Sequence, residues 1–561
     1  MTDDAAAPET PEGREGHGGE HAVDVARAHR SETMFTLSGA HVFPMYDAAV
    51  QADPAMRLID VRHEPSAVFA AEATGKLVRH PGLAVLTAGP GVTNGVSAVA
   101  QAYYAGSPLV VVGGRAPTGR WGTGSLQELD HPPLFSTISK SATTAQTVDH
   151  IAPAVDNAFT LAGSSHRGPT FVDVPMDQLF SRTTVETPPV PAYSRIEPDA
   201  DDLRAIGAAL AKAERPVVVM GTDVWADRAE RSARRIADEL GVPVVANGMG
   251  RGVIPRGHPM LATKARSVAL GQCDLAIVVG APLDFRLGYG SFGGKEDTPP
   301  AKVIHVADSP GQLAAHVELT ASAAGDLSAC LDGIAAATIG TAGPKPDWSA
   351  WTDKLAAAAA SALERDAQDL AADANPIHPA RIYGELVPRL ADDAVVIGDG
   401  GDFVSFAGKY IEPQRPGCWL DPGPYGCLGA GLGAAMAARI ARPSSQVVLL
   451  LGDGAAGMSL VDIDTLVRHD LPVVMVVGNN AGWGLEKHPM RFLYGYDVAA
   501  DLSPDTRYDQ IATALGAGGE TVTEPGEIGP ALDRAFASGQ PYLVNVMTDP
   551  QVAYPRNTTG V

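Results

Sequence analysis

Cysteine is scarce: Cys273, Cys330, Cys418 and Cys427 are the only four in 561 residues. They stand far apart and lack paired metal-ligand spacing, so neither a disulfide-stapled fold nor a thiolate zinc site has a basis. The reading is reduced, partly buried thiols in a cytosolic protein, with a cytoplasmic location. Positive charge is also short, since 42 Lys and Arg against 65 Asp and Glu leave a net charge of −23. That balance argues against nucleic acid or an anionic membrane as main partner, although a local Arg or Lys cluster can still hold an anionic small substrate. No run is long and apolar enough to span a bilayer. The opening MTDDAAAPETPEGREGHGGEH lacks the apolar centre of a signal peptide, and residues 1–30 read as a disordered leader.

What is there is 45% hydrophobic and 19% charged, the balance of ordinary globular protein. The length suggests about three domains of roughly 150 to 200 residues. From about Thr33, short apolar runs such as RLIDV (57–61), LAVLTA (83–88), LVVVGG (109–114) and TFVDVP (170–175) alternate with helix-like segments at 65–78 and 92–105. Continuous apolar strands separated by helices imply a parallel sheet covered on both faces. A Pro-rich linker is expected at 186–202, then a second alternating region with strands at 216–221, 275–280 and 302–307. A loose segment, 341–348, precedes a long Ala-rich helix. A third region has strands at 394–400, 447–454, 472–480 and 542–547. The fold class is α/β, with three consecutive doubly wound parallel-sheet domains at 31–190, 200–338 and 374–550 and a short tail, 551–561.

The densest chemical signal is Gly452-Asp453-Gly454 and, 27 positions after Asp453, Asn480 in an Asn pair. A buried strand ends at each. Between them lies a helix-like stretch with Leu460, Ile463 and Val467 on one face. A right-handed crossover sets the two strands side by side, so Asp453 and Asn480 emerge together at the carboxyl edge of the sheet, where open α/β sheets bind ligands. A carboxylate, an amide oxygen and a turn carbonyl suit Mg²⁺, which keeps few protein ligands beside substrate phosphates. Free N–H groups at Gly454 and Ala455 favour an anion.

On these residues the chain resembles the thiamine-diphosphate enzymes, whose signature is GDG followed at this interval by NN. The resemblance implies that Asp453, Asn480 and the Gly482 carbonyl hold Mg²⁺ against thiamine diphosphate. It implies a diphosphate contact from Gly400-Gly401-Asp402-Phe403, and a stretch under the aminopyrimidine at 423–438. There Leu428 would bend the cofactor and the Gly426 carbonyl would accept from its amino group.

Thiamine chemistry also needs a carboxylic acid at the pyrimidine. Glu64, at the end of RLIDVRH and before Pro65, fits; taken alone it reads rather as a helix N-terminal Glu favouring the dipole. The segments VRHEPSAVFAAEATGK and GPGVTNGVSAVAQAYYAGSPLVVVGG (89–114) resemble the family's RHE and GPG-x-TN elements, which make Glu64 the activator and set Gly39, Pro90 and Asn94 against the cofactor. In that family the two cofactor-binding domains face each other across a subunit boundary, so a homodimer is the minimum and a homotetramer common.

The resemblance, spanning about residues 33–555, is nearest to acetolactate synthases and to 2-hydroxyacyl-CoA and oxalyl-CoA lyases. FTLSGAHVFPMYDA (35–48) and GSLQELDHP (124–132) are similar to that group. Gln127 would then face the reacting carbon, with Ala40 on the substrate side. No paired His follows Gly39 as in pyruvate decarboxylases. After Asn480 the synthases' Gln-Trp-Gln-like element is missing, and Leu485-Glu486 looks like the lyases' short helix. Cleaving a 2-hydroxyacyl thioester needs a base for the hydroxyl proton, a role for Glu486; a solvated Glu486 paired with Lys487 or Arg491 is the alternative. Leu126 and Leu485 would wall the acyl group. The central region resembles the family's nucleotide-binding domain, which holds FAD in the synthases and CoA or ADP in the acyl-CoA enzymes. Arg266 and Arg286 are candidates for phosphates there, though an isolated Arg is more often an ion-pair residue. The expected activity is a 2-hydroxyacyl-CoA lyase giving formyl-CoA and an aldehyde or ketone. The alternatives are an acetolactate synthase acting on 2-oxo acids and, against the retained Glu64, Asp453 and Asn480, an inactive regulatory homologue.

Overall fold

Uninterrupted β-branched runs become the innermost strands. In the computed structural model, which describes residues 13–186, 193, 195–342 and 346–555, Leu109–Arg115, Pro169–Pro175 and Leu275–Val279 are buried along their whole length. With both faces apolar, such strands need helices on either side, and they assemble into three all-parallel sheets. The chain divides into two compact units.

The first unit runs to Tyr193, apart from residues 76–79 and 104–106. Its sheet orders Arg57–Asp60, Thr33–Thr36, Gly82–Leu86, Leu109–Arg115, Pro169–Pro175 and Ser141–Thr144. Numbered along the chain, that is 2-1-3-4-6-5. The order reverses between the first and third strands, which opens a crevice at their carboxyl ends.

The second unit holds two sheets. One is five-stranded, in the order Val244–Ala246, Pro216–Met220, Leu275–Val279, Lys302–Ala307, Ala321–Ala324. The other orders Trp419–Leu420, Val395–Asp399, Val447–Gly452, Val474–Asn479, Tyr542–Met547 and Gly518–Val522, again 2-1-3-4-6-5. Val447–Gly452 pairs with Val474–Asn479 in parallel, Gly452 opposite Gly478, so the turns after both strands open at the same edge. Among the described residues no helix is long and apolar enough to cross a membrane. All four cysteines are free, and burial pushes the Cys273 and Cys330 thiols up to about 12.

Several expectations need correction. Of the leader assigned to residues 1–30, residues 1–12 lie outside the described residues, and 13–30 hold regular structure. Arg14–His17 pairs antiparallel with Arg182–Val185, and Gly18–Ala28 forms a helix with Ala22, Val23, Val25 and Ala26 in the core. The Gly-rich start misled because Gly18 and Gly19 are close-approach positions: a Cβ on Gly19 would meet the Pro44 backbone at 2.3 Å. The segment 92–105 breaks at Gly95 into Pro90–Asn94 and Val96–Tyr104. The stretch after Gly454 is three short pieces, Asp453–Ser459, Leu460–Asp462 and Ile463–Arg468, and Leu466 rather than Val467 is buried. In the linker 186–202, residues 187–192 and 194 lie outside the described residues, and Ala200 already opens the helix Ala200–Lys212. Residues 343–345 of the loose segment and 556–561 of the tail also lie outside; the long Ala-rich helix is Ser349–Leu370.

Candidate active site

In the second unit the crevice at the switch point is a cavity of about 480 Å³. It brings together Asp402, Phe403, Gly426, Leu428, Asp453, Gly454, Ala455, Asn480, Gly482, Leu485, Glu486 and Arg286. Gly400 is the close approach that closes its floor, since a Cβ there would meet the Gly452 nitrogen at 3.1 Å.

Asp453 is 2% exposed, and its partners are backbone amides: Gly454 N–H donates to Oδ1 at 2.9 Å and Gly482 N–H to Oδ2 at 3.1 Å. Burial dominates and pushes its carboxyl up to about 6. Among the described residues no cation pairs with it. A buried carboxylate beside the Asn480 amide and the Gly482 carbonyl, all lining one cleft, is an oxygen donor set that a divalent cation would satisfy. Of the two amides expected to be free, the Gly454 N–H is taken by Asp453. The Trp483 ring covers Gly454 so closely that a Cβ there would meet it at 2.4 Å.

One supporting residue, Asp399, was not revealed by the motifs. Asp399 is fully buried and accepts from Gly429 N–H at 3.0 Å and Gly431 N–H at 2.7 Å, which pins the segment after Leu428. Burial pushes Asp399 up to about 6 as well. Asp402 accepts from the Tyr554 backbone amide at 3.1 Å on each oxygen, so the tail reaches the cleft. Phe403 lines the cleft, and its ring packs against Gly478 as part of the core.

Leu485 and Glu486 sit in the first turn of the helix Gly484–Tyr494, on the cleft. Glu486 is exposed, and neither neighbouring cation takes it: Lys487 pairs with Asp501, and Arg491 with Asp497. On the central-sheet side, the Arg286 guanidinium is forked by Asp284 at 2.7 and 3.0 Å, which neutralises it. Arg266 lies behind, donating to the Arg286 carbonyl at 2.8 Å, with no carboxylate paired to it among the described residues. Burial, with Arg251 and Arg286 nearby, brings it down to about 10. Arg251, missed in the sequence, also lines the cleft and donates to the Gly408 and Ile411 carbonyls.

In the first unit the crevice gathers a second set. Glu64 opens the helix Glu64–Val78 and is 7% exposed; Asn94 Nδ2 donates to its Oε2 at 3.0 Å. Asn94 ends the short helix Pro90–Asn94, whose cap Gly89 has φ 57° and ψ −115°, a conformation open to glycine. Gly39 faces Thr87, where a Cβ would overlap at 2.2 Å, and Ala40 starts the turn Ala40–Val42. Gln127 holds φ 60° against Gly89, and Leu126 beside it is 77% exposed.

A buried acid, Glu64, stands at one switch point, and a cleft of about 480 Å³ holding the buried Asp453 stands at another. The chain belongs to the thiamine pyrophosphate enzymes: it matches their N-terminal binding domain over residues 16–134, their central domain over 203–334 and their C-terminal binding domain over 399–546. Within that class it is 48% identical over 548 residues to the acetolactate synthase large subunit IlvG of Mycobacterium tuberculosis, covering 97% of each chain. It is 32% identical to 2-hydroxyacyl-CoA lyase 2 of Homo sapiens over 585 residues, covering 95% of this chain and 90% of that one. The same identity, 32% over 588 residues, holds for 2-hydroxyacyl-CoA lyase 2 of Caenorhabditis elegans, covering 95% and 89%. The protein is a thiamine-diphosphate-dependent enzyme of the acetolactate synthase and 2-hydroxyacyl-CoA lyase group.

Proposed function

We propose that the protein is a 2-hydroxyacyl-CoA lyase, cleaving a short 2-hydroxyacyl-CoA reversibly to formyl-CoA and an aldehyde or ketone. The carrying observation is Glu486: a carboxyl on the cleft that holds Asp453 and Asn480, with Lys487 and Arg491 both engaged elsewhere. When bound, thiamine diphosphate supplies the electron sink for the bond that is made or broken. Glu486 takes the substrate hydroxyl proton during cleavage and returns a proton afterwards. Glu64, steadied by Asn94, is the activator at the pyrimidine, and Gln127 orients the substrate carbonyl. Leu126 and Leu485 limit the acyl group, and Ala40 is a substrate-side residue.

Magnesium would be held by Asp453, Asn480 and the Gly482 carbonyl. The diphosphate would be held by Ala455 N–H and the Gly401–Phe403 turn, and the pyrimidine by Gly426, Leu428, Gly39 and Pro90. The Arg266 guanidinium suits a phosphate of the CoA moiety, ADP or FAD. A homodimer is the smallest active form on this reading, with a homotetramer expected, and the location is cytoplasmic.

Acetolactate synthesis is the second reading, favoured by the 48% identity to an acetolactate synthase large subunit. Purified holoenzyme given lactoyl-CoA or 2-hydroxyisobutyryl-CoA should release formyl-CoA, and E486Q should lose most of that release. Acetolactate from pyruvate with no turnover of either CoA ester would overturn the lyase reading in favour of the synthase.

A further inference from the structure

Behind the first unit's crevice lies a buried polar chain with no counterpart in the chemistry described so far. His131 and Asp173 are both 0% exposed. Asp173 Oδ2 lies 2.9 Å from His131 Nδ1 and accepts from Arg115 Nη1 at 2.9 Å. On the far side of the ring, the Gly89 backbone N–H donates to His131 Nε2 at 3.0 Å. A backbone amide can only donate, so Nε2 carries no proton; the ring proton sits on Nδ1 and goes to Asp173. One tautomer of a neutral imidazole is therefore fixed from both ends.

Two functional segments hang on the amide that His131 receives. Gly89 caps the helix Pro90–Asn94, and Asn94 donates to Glu64. Gly89 also abuts Gln127, because a Cβ on Gly89 would meet Gln127 Cβ at 2.8 Å. Arg115 fastens the same loop a second way, through Asp130 at 2.9 Å and the face of Trp121 at 3.9 Å. Gln127 holds a positive φ that a residue with a side chain does not adopt by preference, so its conformation depends on the contact with Gly89.

The geometry points to His131 as a positioning residue: through the Gly89 amide it sets the Asn94–Glu64 contact and the Gln127 loop together. This rests on the reading of Glu64 as activator. Its loss leaves the Gly89 N–H buried and unmatched, which loosens Glu64 without touching the diphosphate cleft.

The test is exchange of the C2 proton of bound thiamine diphosphate, followed by NMR after rapid quench at saturating cofactor and Mg²⁺. His131→Leu should slow exchange about five- to a hundredfold, the cost of a buried unmatched donor, with cofactor affinity changed less than about twofold. His131→Gln, whose Oε1 can accept from Gly89, should recover most of the rate. His131→Asn, too short to reach, should stay slow and serves if the leucine variant does not fold. Exchange within about twofold of wild type in His131→Leu or His131→Asn, or a glutamine variant as slow as these, overturns the inference. Glu64→Gln run beside them separates the two failures. A fast Glu64→Gln removes the activator reading; a slow Glu64→Gln with a fast His131→Leu removes only the positioning role.

Discussion

The two six-stranded sheets share one strand order and one pair of close-approach glycines, yet they present opposite solutions to burying a carboxylate. After the first strand, Gly39 abuts Thr87 in one sheet and Gly400 abuts Gly452 in the other. In the first unit, Glu64 is met by a neutral side-chain donor, Asn94. In the second, Asp453 is met by the backbone amides of Gly454 and Gly482, and burial pushes it up to about 6. A group steadied by a neutral donor is set up to handle a proton, whereas a buried carboxylate without a cation is set up to receive one. On the proposed reading, the same topology serves activation at one crevice and anchoring at the other.

The comparison can be broken in order of effect. E64Q should lower turnover by roughly 10²–10⁴-fold, the span of general acid–base catalysis, and leave cofactor affinity near wild type; steady-state rates beside binding titrations check both halves. D453N should weaken Mg²⁺-dependent cofactor binding by at least the roughly 10–100-fold that loss of a supporting partner costs a metal site. Equilibrium dialysis at fixed Mg²⁺ reads that loss. Because the metal needs the ionised carboxylate, Mg²⁺ affinity should fall about tenfold per pH unit below about 6 and be flat above it. The smallest effect is expected of N94A, about tenfold on turnover, from the loss of one hydrogen bond to a charged group.

What the sequence made legible follows from range and hydrophobicity. Val447–Gly452 and Val474–Asn479 announce themselves as apolar runs, and Asp453 and Asn480 fall at their ends by local chain geometry. Edge strands such as Ser141–Thr144 and Ala321–Ala324 are short and only partly buried, so no period marks them. The helix Gly18–Ala28 hid behind a glycine-rich start whose reason, contact with Pro44, is tertiary. Asp399, pinning Gly429 and Gly431, and His131, receiving Gly89, act across about thirty to forty residues, where no spacing rule reaches. Arg286, a phosphate candidate in the sequence, is bound to Asp284, while Arg266 pairs with no carboxylate among the described residues.

The division of labour between the two carboxylates is tested most directly by titrating thiamine diphosphate at saturating Mg²⁺. Tryptophan emission can be the signal, because Trp483 lies over Gly454 on the cleft. The account predicts that wild type and E64Q share a midpoint, with D453N shifted to at least tenfold higher cofactor, about 1.4 kcal/mol. A midpoint in E64Q shifted as far as in D453N, or a D453N midpoint unmoved, would contradict it.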